Sequence, residues 1–497
     1  MTNTPIPALA GEPGTDTGFF GHPKGLSTLF FTELWERFSY YGMRALLILF
    51  MIAPPRQAGL GFPVSKAGAI YGLYTAMVYL LSLPGGWLAD QFLGQRRAVL
   101  YGGIIIALGH FCLAVTGLPT FYAGLTLIVL GTGLLKPNVS AMVGQLYREH
   151  DHRRDAGFSI FYMGINLGAL VAPLICGYLG EKVNWHYGFA MAGIGMTIGL
   201  LQYVLRGRNL GSVGLYPATR GDAETADRHG KTLRLGILSM LAAAALIFAS
   251  DRIGIFKVTP ERVAAAGGVM LVAITIAFFG WTFGFGKWSA IERKRLLAVL
   301  ILFIAAAAFW ANYEQAGSTL NLFAKRNTRL TFFGFTFPAS WFQSLNSLFI
   351  MLLAPFFAWF WIKLGPRNPS SPAKFAGGLL FVALGFLVLV PVSGAGRVSP
   401  MWLIVCYFFQ TVGELLLSPV GLSAMTKLAP ARIASLTMGA WFLADSVGNY
   451  IGGLWASVYE TFPLPMLFGL VGLVSLAVGA LMLIFLRPIK DLMSGAD

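Results

Sequence analysis

Charged and hydroxyl-bearing side chains recur at short intervals in an otherwise apolar stretch near the start of the chain. They are Glu33, Glu36, Arg37, Tyr40, Tyr41 and Arg44. In a helix, which turns by about 100° per residue, all six fall within an arc of roughly 140° and share one face. Carboxylates beside guanidinium groups on one face can exchange protons, change ion-pair partners and hold small molecules of either charge.

Other ionisable or amide side chains interrupt the later apolar stretches. They are Lys136, Asn166, Glu314, Glu414 and Asp445. A charge deep in a bilayer costs from about 2.5 kcal/mol upward, so it normally faces a cavity or an opposite charge. The deep charges of the first half of the chain sum to a positive value, whereas those of the second half are acidic. This pattern indicates a bipolar cavity between the halves, which suits a zwitterion. For Asp445, a packing role and a place in the cavity are equally compatible with the sequence.

The depth of each group follows from a helical rise of about 1.5 Å per residue. Arg44 and Glu314 come out level with each other near the external side, on matching helices of the two halves. Lys136 and Glu36 both lie roughly 15 Å from the cytoplasmic side, and Glu414 lies a little higher. We therefore expect Arg44 and Glu314 to form an external gate, and Lys136 to alternate between the acids of the first helix and Glu414.

Such exchange of partners links proton binding to substrate binding. A carboxylate beside a cation stays ionised, whereas one left alone in a low-dielectric site takes up a proton. Protonating a glutamate then releases its lysine or arginine to hold a substrate carboxylate. Proton and substrate become coupled through the same two-state rearrangement, and inward movement down a proton gradient is the expected direction.

The elements that position these groups follow from composition. The 497 residues are 56% hydrophobic and only 11% charged, whereas a soluble domain is about 25% charged. A helix needs about 20 apolar residues to cross the hydrocarbon layer, and the sequence contains fourteen such runs. We predict an all-α polytopic membrane protein with the major facilitator fold, in which two six-helix bundles are joined by a connector that carries two additional helices.

The predicted boundaries divide the chain into five parts. They are a cytoplasmic N-terminus (1–25), an N-terminal bundle (26–205), a connector (206–296) with spans near 235–250 and 264–283, a C-terminal bundle (297–487) and a cytoplasmic tail (488–497). The net charge of +15 fits basic loops on the cytoplasmic side, and an even number of spans places both termini there. Short termini without a targeting segment favour a bacterial inner membrane.

Several runs carry a recognisable family pattern. The segment Glu33-Leu34-Trp35-Glu36-Arg37 resembles the ExxER signature of proton-dependent oligopeptide transporters, the POT family. Further similar segments are Phe161 to Asn166, Trp341 to Asn346, Gly413-Glu414-Leu415 and Ser418-Pro419. Gly86 to Asp90, followed by Gly94, Arg96 and Arg97, resembles the cytoplasmic motif of the wider major facilitator superfamily. The resemblance extends from about residue 20 to about residue 488.

The resemblance implies a role for each matching residue. Proton coupling would fall to Glu33, Glu36, Arg37 and Glu314. Substrate binding would fall to Tyr40, Tyr41, Arg44, Tyr79, Lys136, Asn166, Trp310, Asn346, Glu414, Ser418 and Trp441. Gating would fall to Arg44, Glu314, Lys136, Glu414, Asp90 and Arg96. The substrates implied are di- and tripeptides moved together with protons, by a protein that is expected to be a monomer.

Other functions remain as alternatives. Within transporters, a proton-coupled symporter of nitrate or another small metabolite is the main rival, and a drug–proton antiporter ranks below it because such a site needs acids more than a Lys/Arg cluster. An enzyme would need a nucleophile with a base, or a metal set, and the ionisable groups in the apolar runs contain no His/Cys cluster. We therefore expect no catalytic residues, no metal, no cofactor beyond the proton gradient and no nucleic-acid partner. A channel or passive receptor would not accumulate its solute.

Overall fold

The computed structural model of the protein describes residues 17–148, 151–217, 223–255, 257–430 and 433–493. Within these ranges the chain is almost entirely helical, with one two-stranded hairpin. Residues 1–16 of the predicted N-terminus and 494–497 of the predicted tail lie outside the described residues.

Seven helices form from the first six predicted spans, because the second span is divided. They are α1 (Lys24–Ile52), α2 (Val64–Leu80), α3 (Ser82–Leu88), α4 (Gln95–Ala114), α5 (Leu118–Gln145), α6 (Arg153–Tyr178) and α7 (Trp185–Leu205). The division at Leu81 has a local cause, since Pro84 has no N–H to donate to the carbonyl of Leu80. One turn of π-helix follows α3 and another follows α6, at Ala89–Leu93 and Leu179–Val183.

The connector carries both additional helices, α8 (Ala223–Arg252) and α9 (Pro260–Phe285). α8 begins well before the predicted span 235–250, because residues 223–234 include two alanines, one glutamate, two arginines and one lysine, which are good helix formers. α9 starts with Pro260 directly after Thr259, whose side chain accepts a hydrogen bond from the N–H of Arg262 and caps the helix.

The chain from residue 290 onward contains eight helices and the hairpin. They are α10 (Ala290–Tyr313), α11 (Thr319–Asn327), β1 (Thr331–Phe332), β2 (Phe335–Thr336), α12 (Ser344–Leu364), α13 (Ser371–Leu387), α14 (Met401–Leu428), α15 (Ala434–Ser457), α16 (Leu464–Ile484) and α17 (Leu486–Met493). A capping box of Ser289 and Glu292 begins α10. α13 ends six residues before the predicted limit of 393, because Pro391 and the restricted residue before it disfavour helix.

The described chain contains eleven segments that are long and apolar enough to cross a membrane. α1 is not among them, because any stretch of it that is long enough to span includes at least three of its charged side chains. α13 has only 17 residues, and α15 carries the polar side chains of Asp445 and Asn449. With these three helices, the eleven segments account for the fourteen predicted spans, and the chain is a multi-pass membrane protein.

The described residues group into two compact units. Unit 1 comprises those within Met1–Gly42, Leu81–Ala172 and Phe189–Val258. In this unit α4 packs against α5 through glycines, and a Cβ added at Gly102 would lie 2.7 Å from the carbonyl oxygen of Gly131. Small residues of this kind let two helices approach closely in a membrane protein. The apolar core beside them includes Leu26, Val99, Ile106, Leu135, Val139 and Met196.

Unit 2 comprises Met43–Leu80, Pro173–Gly188 and the described residues of Thr259–Asp497. Two segments from the first six predicted spans therefore pack with the C-terminal helices. α2 lies against α15 at such short range that a Cβ on Gly72 would come within 2.7 Å of the Cα of Gly453. The apolar core of unit 2 includes Ala76, Leu302, Phe309, Phe375, Leu417 and Ala444.

Candidate functional site

A buried cluster of two carboxylates and one guanidinium lies on α1 in unit 1. Glu33 and Arg37 are one helical turn apart, and Arg37 Nε lies 3.0 Å from Glu33 Oε1. The same nitrogen also forms an ion pair with Glu36 Oε2. All three side chains are almost completely buried. One cation thus holds two acids, and protonation of either acid leaves the other as its partner.

Further predicted residues surround this cluster within unit 1. The guanidinium carbon of Arg37 lies 5.5 Å from the centre of the Tyr40 ring, and the rings of Tyr40 and Tyr41 are 5.3 Å apart. Lys136, which is half-buried on α5, lies close enough to Glu33 to interact with it electrostatically. Asn166 is buried on α6, and its amide nitrogen donates to the carbonyl of Tyr162.

A second buried ion pair lies in unit 2. Arg44 Nη2 is 2.5 Å from Glu314 Oε2, and both side chains are 4% exposed. The same nitrogen donates to the backbone carbonyl of Glu314 at 3.2 Å, while Arg44 Nε donates to the hydroxyl of Tyr71 at 2.7 Å. α10 ends at Tyr313 and a single 3-10 turn begins at Glu314. Glu314 therefore lies at the junction between the α-helix and the 3-10 turn.

Glu414 on α14 is a half-buried acid of unit 2. Its Oε2 accepts hydrogen bonds from the hydroxyl of Tyr313 at 2.5 Å and from the amide nitrogen of Asn346 at 2.9 Å. The same amide nitrogen lies 3.1 Å from the hydroxyl of Thr411. Tyr313 directly precedes Glu314 in the chain. The end of α10 therefore contributes one residue to the Glu414 site and the next residue to the ion pair with Arg44.

Aromatic rings lie next to the Glu414 site. The ring centre of Trp310 is 5.3 Å from that of Tyr313 and 6.4 Å from that of Trp441. Ser418 is half-buried one turn after Glu414, and its hydroxyl has no hydrogen-bond partner among the described residues. Tyr79 is buried on α2. Trp310 is therefore in contact with both Tyr313 and Trp441 beside Glu414.

The polar contacts of Glu181 in unit 2 were not predicted from the sequence. The carboxylate of Glu181, whose side chain is 1% exposed, pairs with Lys325 Nζ at 2.8 Å. Its other oxygen accepts from the N–H of Ser340 at 2.9 Å. Nearby, Asn321 donates to the carbonyl of Ala45 at 2.8 Å. Segments of the first six predicted spans are thus hydrogen-bonded to α11 and to the start of the α12 region.

The segment from Gly86 to Arg97, which resembles the cytoplasmic motif of the major facilitator superfamily, makes contacts inside unit 1. Arg96 Nε donates to the carbonyl of Val213 at 2.7 Å, and Arg96 Nη2 donates to the carbonyl of Gly211. These bonds fasten the connector after α7 to the start of α4, whereas Asp90 is exposed. Gating by Asp90 and Arg96 stays a prediction. Lys136 belongs to unit 1 and Glu414 to unit 2, and their predicted alternation also stays a prediction.

Known proteins with similar sequences belong to one transporter family. The family model described as the POT family matches residues 96–474. An uncharacterized transporter, YclF, of Bacillus subtilis is 44% identical over 96% of this chain and 96% of its own length. The di-/tripeptide transporter of Lactococcus lactis subsp. cremoris is 42% identical over 96% of this chain and 98% of its own.

Solved structures are similar along the same length. A crystal structure of peptide transporter POT in complex with sulfate superposes with a TM-score of 0.91 at 45% identity, and covers 96% of this chain and 97% of that one. A POT family transporter in complex with 5-aminolevulinic acid gives 0.89 at 36% identity, with 96% and 99% covered. The predicted fold and family are confirmed, and this chain belongs to the POT family of the major facilitator superfamily.

Proposed function

We propose that this protein is a secondary active transporter that imports di- and tripeptides together with protons by alternating access. The observation that carries the proposal is the buried set of Glu33, Glu36 and Arg37, in which one guanidinium is shared by two carboxylates. A purely structural ion pair needs one acid for one base. A second acid gives the cluster a place for a proton without stranding Arg37.

The proton-coupling step uses the chemistry of this cluster. Protonation of Glu36 removes one of the two ion pairs of Arg37 and leaves Glu33 as its partner. With fewer negative charges nearby, Lys136 becomes more available to a substrate carboxylate. Binding of the proton and of a peptide carboxylate therefore favour each other, which is the linkage that symport requires.

Residues of unit 2 bind the amino terminus of the peptide. Glu414 is held between Tyr313 and Asn346, which orients its carboxylate toward an ammonium group. Trp310 and Trp441 supply apolar ring surface for peptide side chains. We assign Arg44 and Glu314 to the external gate, and Glu314 also to proton exchange during opening.

The class of substrate rests on the relatives. Those named for a substrate are called di-/tripeptide or peptide transporters, and one structural neighbour contains alafosfalin. The complex of another neighbour with 5-aminolevulinic acid makes small amino-acid-like molecules a second candidate, because they too carry an amine and a carboxylate. Nitrate lacks the amine that Glu414 would bind.

The wider assignments belong to the same proposal. We place the two bundles at residues 26–205 and 297–487, with a connector between them, in a bacterial inner membrane with both termini on the cytoplasmic side. The protein acts as a monomer and uses the proton gradient as its only energy source, without a cofactor and without chemical conversion of the peptide. These assignments are supported by the family and by the distribution of basic residues.

Uptake into liposomes tests the function. The purified protein is reconstituted, and an acidic exterior is expected to drive accumulation of labelled di-alanine. A protonophore should abolish the accumulation, and unlabelled di- and tripeptides should compete, whereas free alanine should not. If 5-aminolevulinic acid competes and no di- or tripeptide does, the substrate is an amino-acid-like metabolite and the peptide assignment is wrong.

A further inference from the structure

A short β-hairpin of unit 2 has one aromatic face and one polar face. In its register Phe332 pairs with Phe335, and Thr331 pairs with Thr336. Since successive side chains of a strand point to opposite sides, the two phenylalanines lie on one face. The threonines lie on the other, where their hydroxyl oxygens are 2.9 Å apart. We call residues 330–337 the aromatic hairpin.

The tip of the aromatic hairpin is unusual in both exposure and backbone. Phe332 is 65% exposed, Phe333 is 94% exposed and Phe335 is 48% exposed. Phe333 and Gly334 both have positive φ, at 47° and 78°, as in a type I′ turn, where asparagine, aspartate or glycine is favoured. A bulky residue in this backbone region is rare. The sequence therefore places a large apolar ring where neither solvent nor backbone geometry favours it.

The rings of the aromatic hairpin are continuous with a membrane-facing helix. The ring centre of Phe335 is 5.9 Å from that of Trp341, and Phe337 stacks on Trp341 at 6.4 Å. Trp341 lies in the 3-10 turn Ala339–Gln343, which leads directly into α12. Few residues of the apolar segment Ala339–Arg367 are buried within the protein, and Leu348, Met351 and Leu352 near the start of α12 are exposed. The aromatic hairpin thus extends the exposed apolar surface of α12.

The charges near the aromatic hairpin favour contact with phospholipid headgroups. No acidic residue occurs between Glu314 and Glu414 in the sequence. Lys325 and Arg326, which precede the aromatic hairpin, are paired with Glu181 and Glu460. Arg329 at its root is exposed, and its backbone N–H donates to Val398. An exposed cation that precedes apolar rings in the chain can contact a lipid phosphate while the rings enter the interfacial layer.

We propose that the aromatic hairpin is a membrane anchor, in which the rings of Phe332 and Phe333 insert into the interfacial layer of the bilayer beside α12 while Arg329 contacts lipid phosphates. The root is fixed to unit 2 by the Arg329–Val398 bond, and the bond from Phe337 N–H to the Leu330 carbonyl closes the hairpin. A fixed root positions the rings at one depth. The partner is the phospholipid bilayer, and the proposal depends on membrane insertion alone rather than on peptide transport.

Spin-label accessibility in nanodiscs of phosphatidylethanolamine and phosphatidylglycerol tests the anchor. Single cysteines replace Phe332, Phe333 or Thr331 in a background without Cys112, Cys176 and Cys406. Thr331→Cys is the matched control, since it is adjacent to Phe332 on the opposite face. We expect the ratio of collisions with oxygen to collisions with a water-soluble nickel chelate to be several-fold higher at positions 332 and 333, because oxygen concentrates in the apolar layer. Each labelled variant should elute as a single species by size exclusion, which shows that it is folded.

Two results would overturn the proposal. Equal access of the nickel chelate to positions 331, 332 and 333 would place the rings in water. Exclusion of both reagents from positions 332 and 333 would show that protein, such as a second copy of the chain, covers them. Arg329→Gln isolates the contribution of Arg329, since the rings should then lie at a shallower depth if this cation holds the root at the lipid phosphates.

Discussion

Arg44 and Glu314 are joined by an ion pair and by a second bond to the backbone of the same glutamate, at 2.5 Å and 3.2 Å. Tyr71 occupies a third donor position of the guanidinium. A contact from three directions fixes the plane of the guanidinium, so the pair has one geometry rather than many. Separation of this pair breaks both contacts between Arg44 and Glu314 and leaves Tyr71 as a partner of Arg44.

The first prediction concerns the stability of this pair. Glu314→Ala should lower the free energy of unfolding by about 3–5 kcal/mol, because the buried Arg44 loses its counter-charge. Adding Arg44→Met should recover much of the loss, since no buried charge then remains. Thermal unfolding in detergent, followed by intrinsic fluorescence, measures both variants. Additive losses in the double variant would show that the two residues do not interact energetically.

The second prediction separates proton coupling from transport. Glu36→Gln should abolish uptake driven by an acidic exterior while leaving exchange of labelled for unlabelled dipeptide partly intact, because glutamine keeps the shape of the side chain and cannot be protonated. Gradient-driven uptake and counterflow are measured on the same proteoliposomes. Persistence of gradient-driven uptake at the wild-type rate would rule out the coupling role of Glu36.

The third prediction concerns Lys136 and the peptide carboxylate. Lys136→Ala should raise the KM for a zwitterionic dipeptide by about tenfold, which corresponds to one charge-assisted hydrogen bond of roughly 1.4 kcal/mol. A dipeptide with an amidated C-terminus provides the control, since it has no carboxylate to lose and its weaker transport should be unaffected. An equal loss for both peptides would assign Lys136 to the gate rather than to the substrate.

The fourth prediction is that the attachment of the segment before α1 depends on pH. His22 Nδ1 lies 2.9 Å from the hydroxyl of Tyr147. Burial, and then the positive charge of Arg153, hold the pKa of His22 below its ordinary value of 6.5, while Asp151 opposes them. Burial raises the pKa of Tyr147 to about 12, so its hydroxyl stays a donor. A neutral His22 can accept this hydrogen bond at Nδ1, whereas a protonated one cannot.

The sign of this effect follows from proton linkage. Residues 17–23 are attached to the rest of unit 1 in part by the His22–Tyr147 hydrogen bond. Because the pKa of His22 is lowered in this attached state, it binds fewer protons there than when the segment is detached. The attachment is therefore strongest above pH 6.5 and weakens as the pH falls below it. Hydrogen exchange of residues 17–23, corrected for intrinsic rates, should be faster at pH 5.5 than at pH 7.5. His22→Gln accepts the same bond without titrating, so an unchanged pH dependence in that variant would contradict the role of His22.

Most of the fold was predictable because lipid imposes a simple rule on sequence. Each of the fourteen apolar runs falls on helix, since backbone polar groups must be satisfied internally in a bilayer. The limits were less certain at α13, where Pro391 ends the helix early, and at α8, where polar helix formers extend it. Apolarity identifies the spans, and their ends depend on local backbone chemistry.

The candidate site was predictable where charge in an apolar run is itself the signal. Glu33 with Arg37 and Arg44 with Glu314 are found paired. The hydroxyl partners of the site residues were missed, namely Tyr71 with Arg44, Tyr313 with Glu414 and Thr411 with Asn346. A hydroxyl costs little in a membrane protein and does not stand out from packing residues. Tyr313 had a usable signal, since it adjoins Glu314. Glu181 was missed because it follows an apolar run and resembles an ordinary loop acid.

The places where the early spans pass from one compact unit to the other have a shared property. α1 passes at Gly42, and the chain between α2 and α3 passes at the break after Leu80. α6 passes at Pro173 and α7 at Gly188. Glycine is flexible, and proline leaves the carbonyl one turn before it without a helical partner. These places are therefore points at which the backbone of a single span can bend without losing a regular helical hydrogen bond elsewhere.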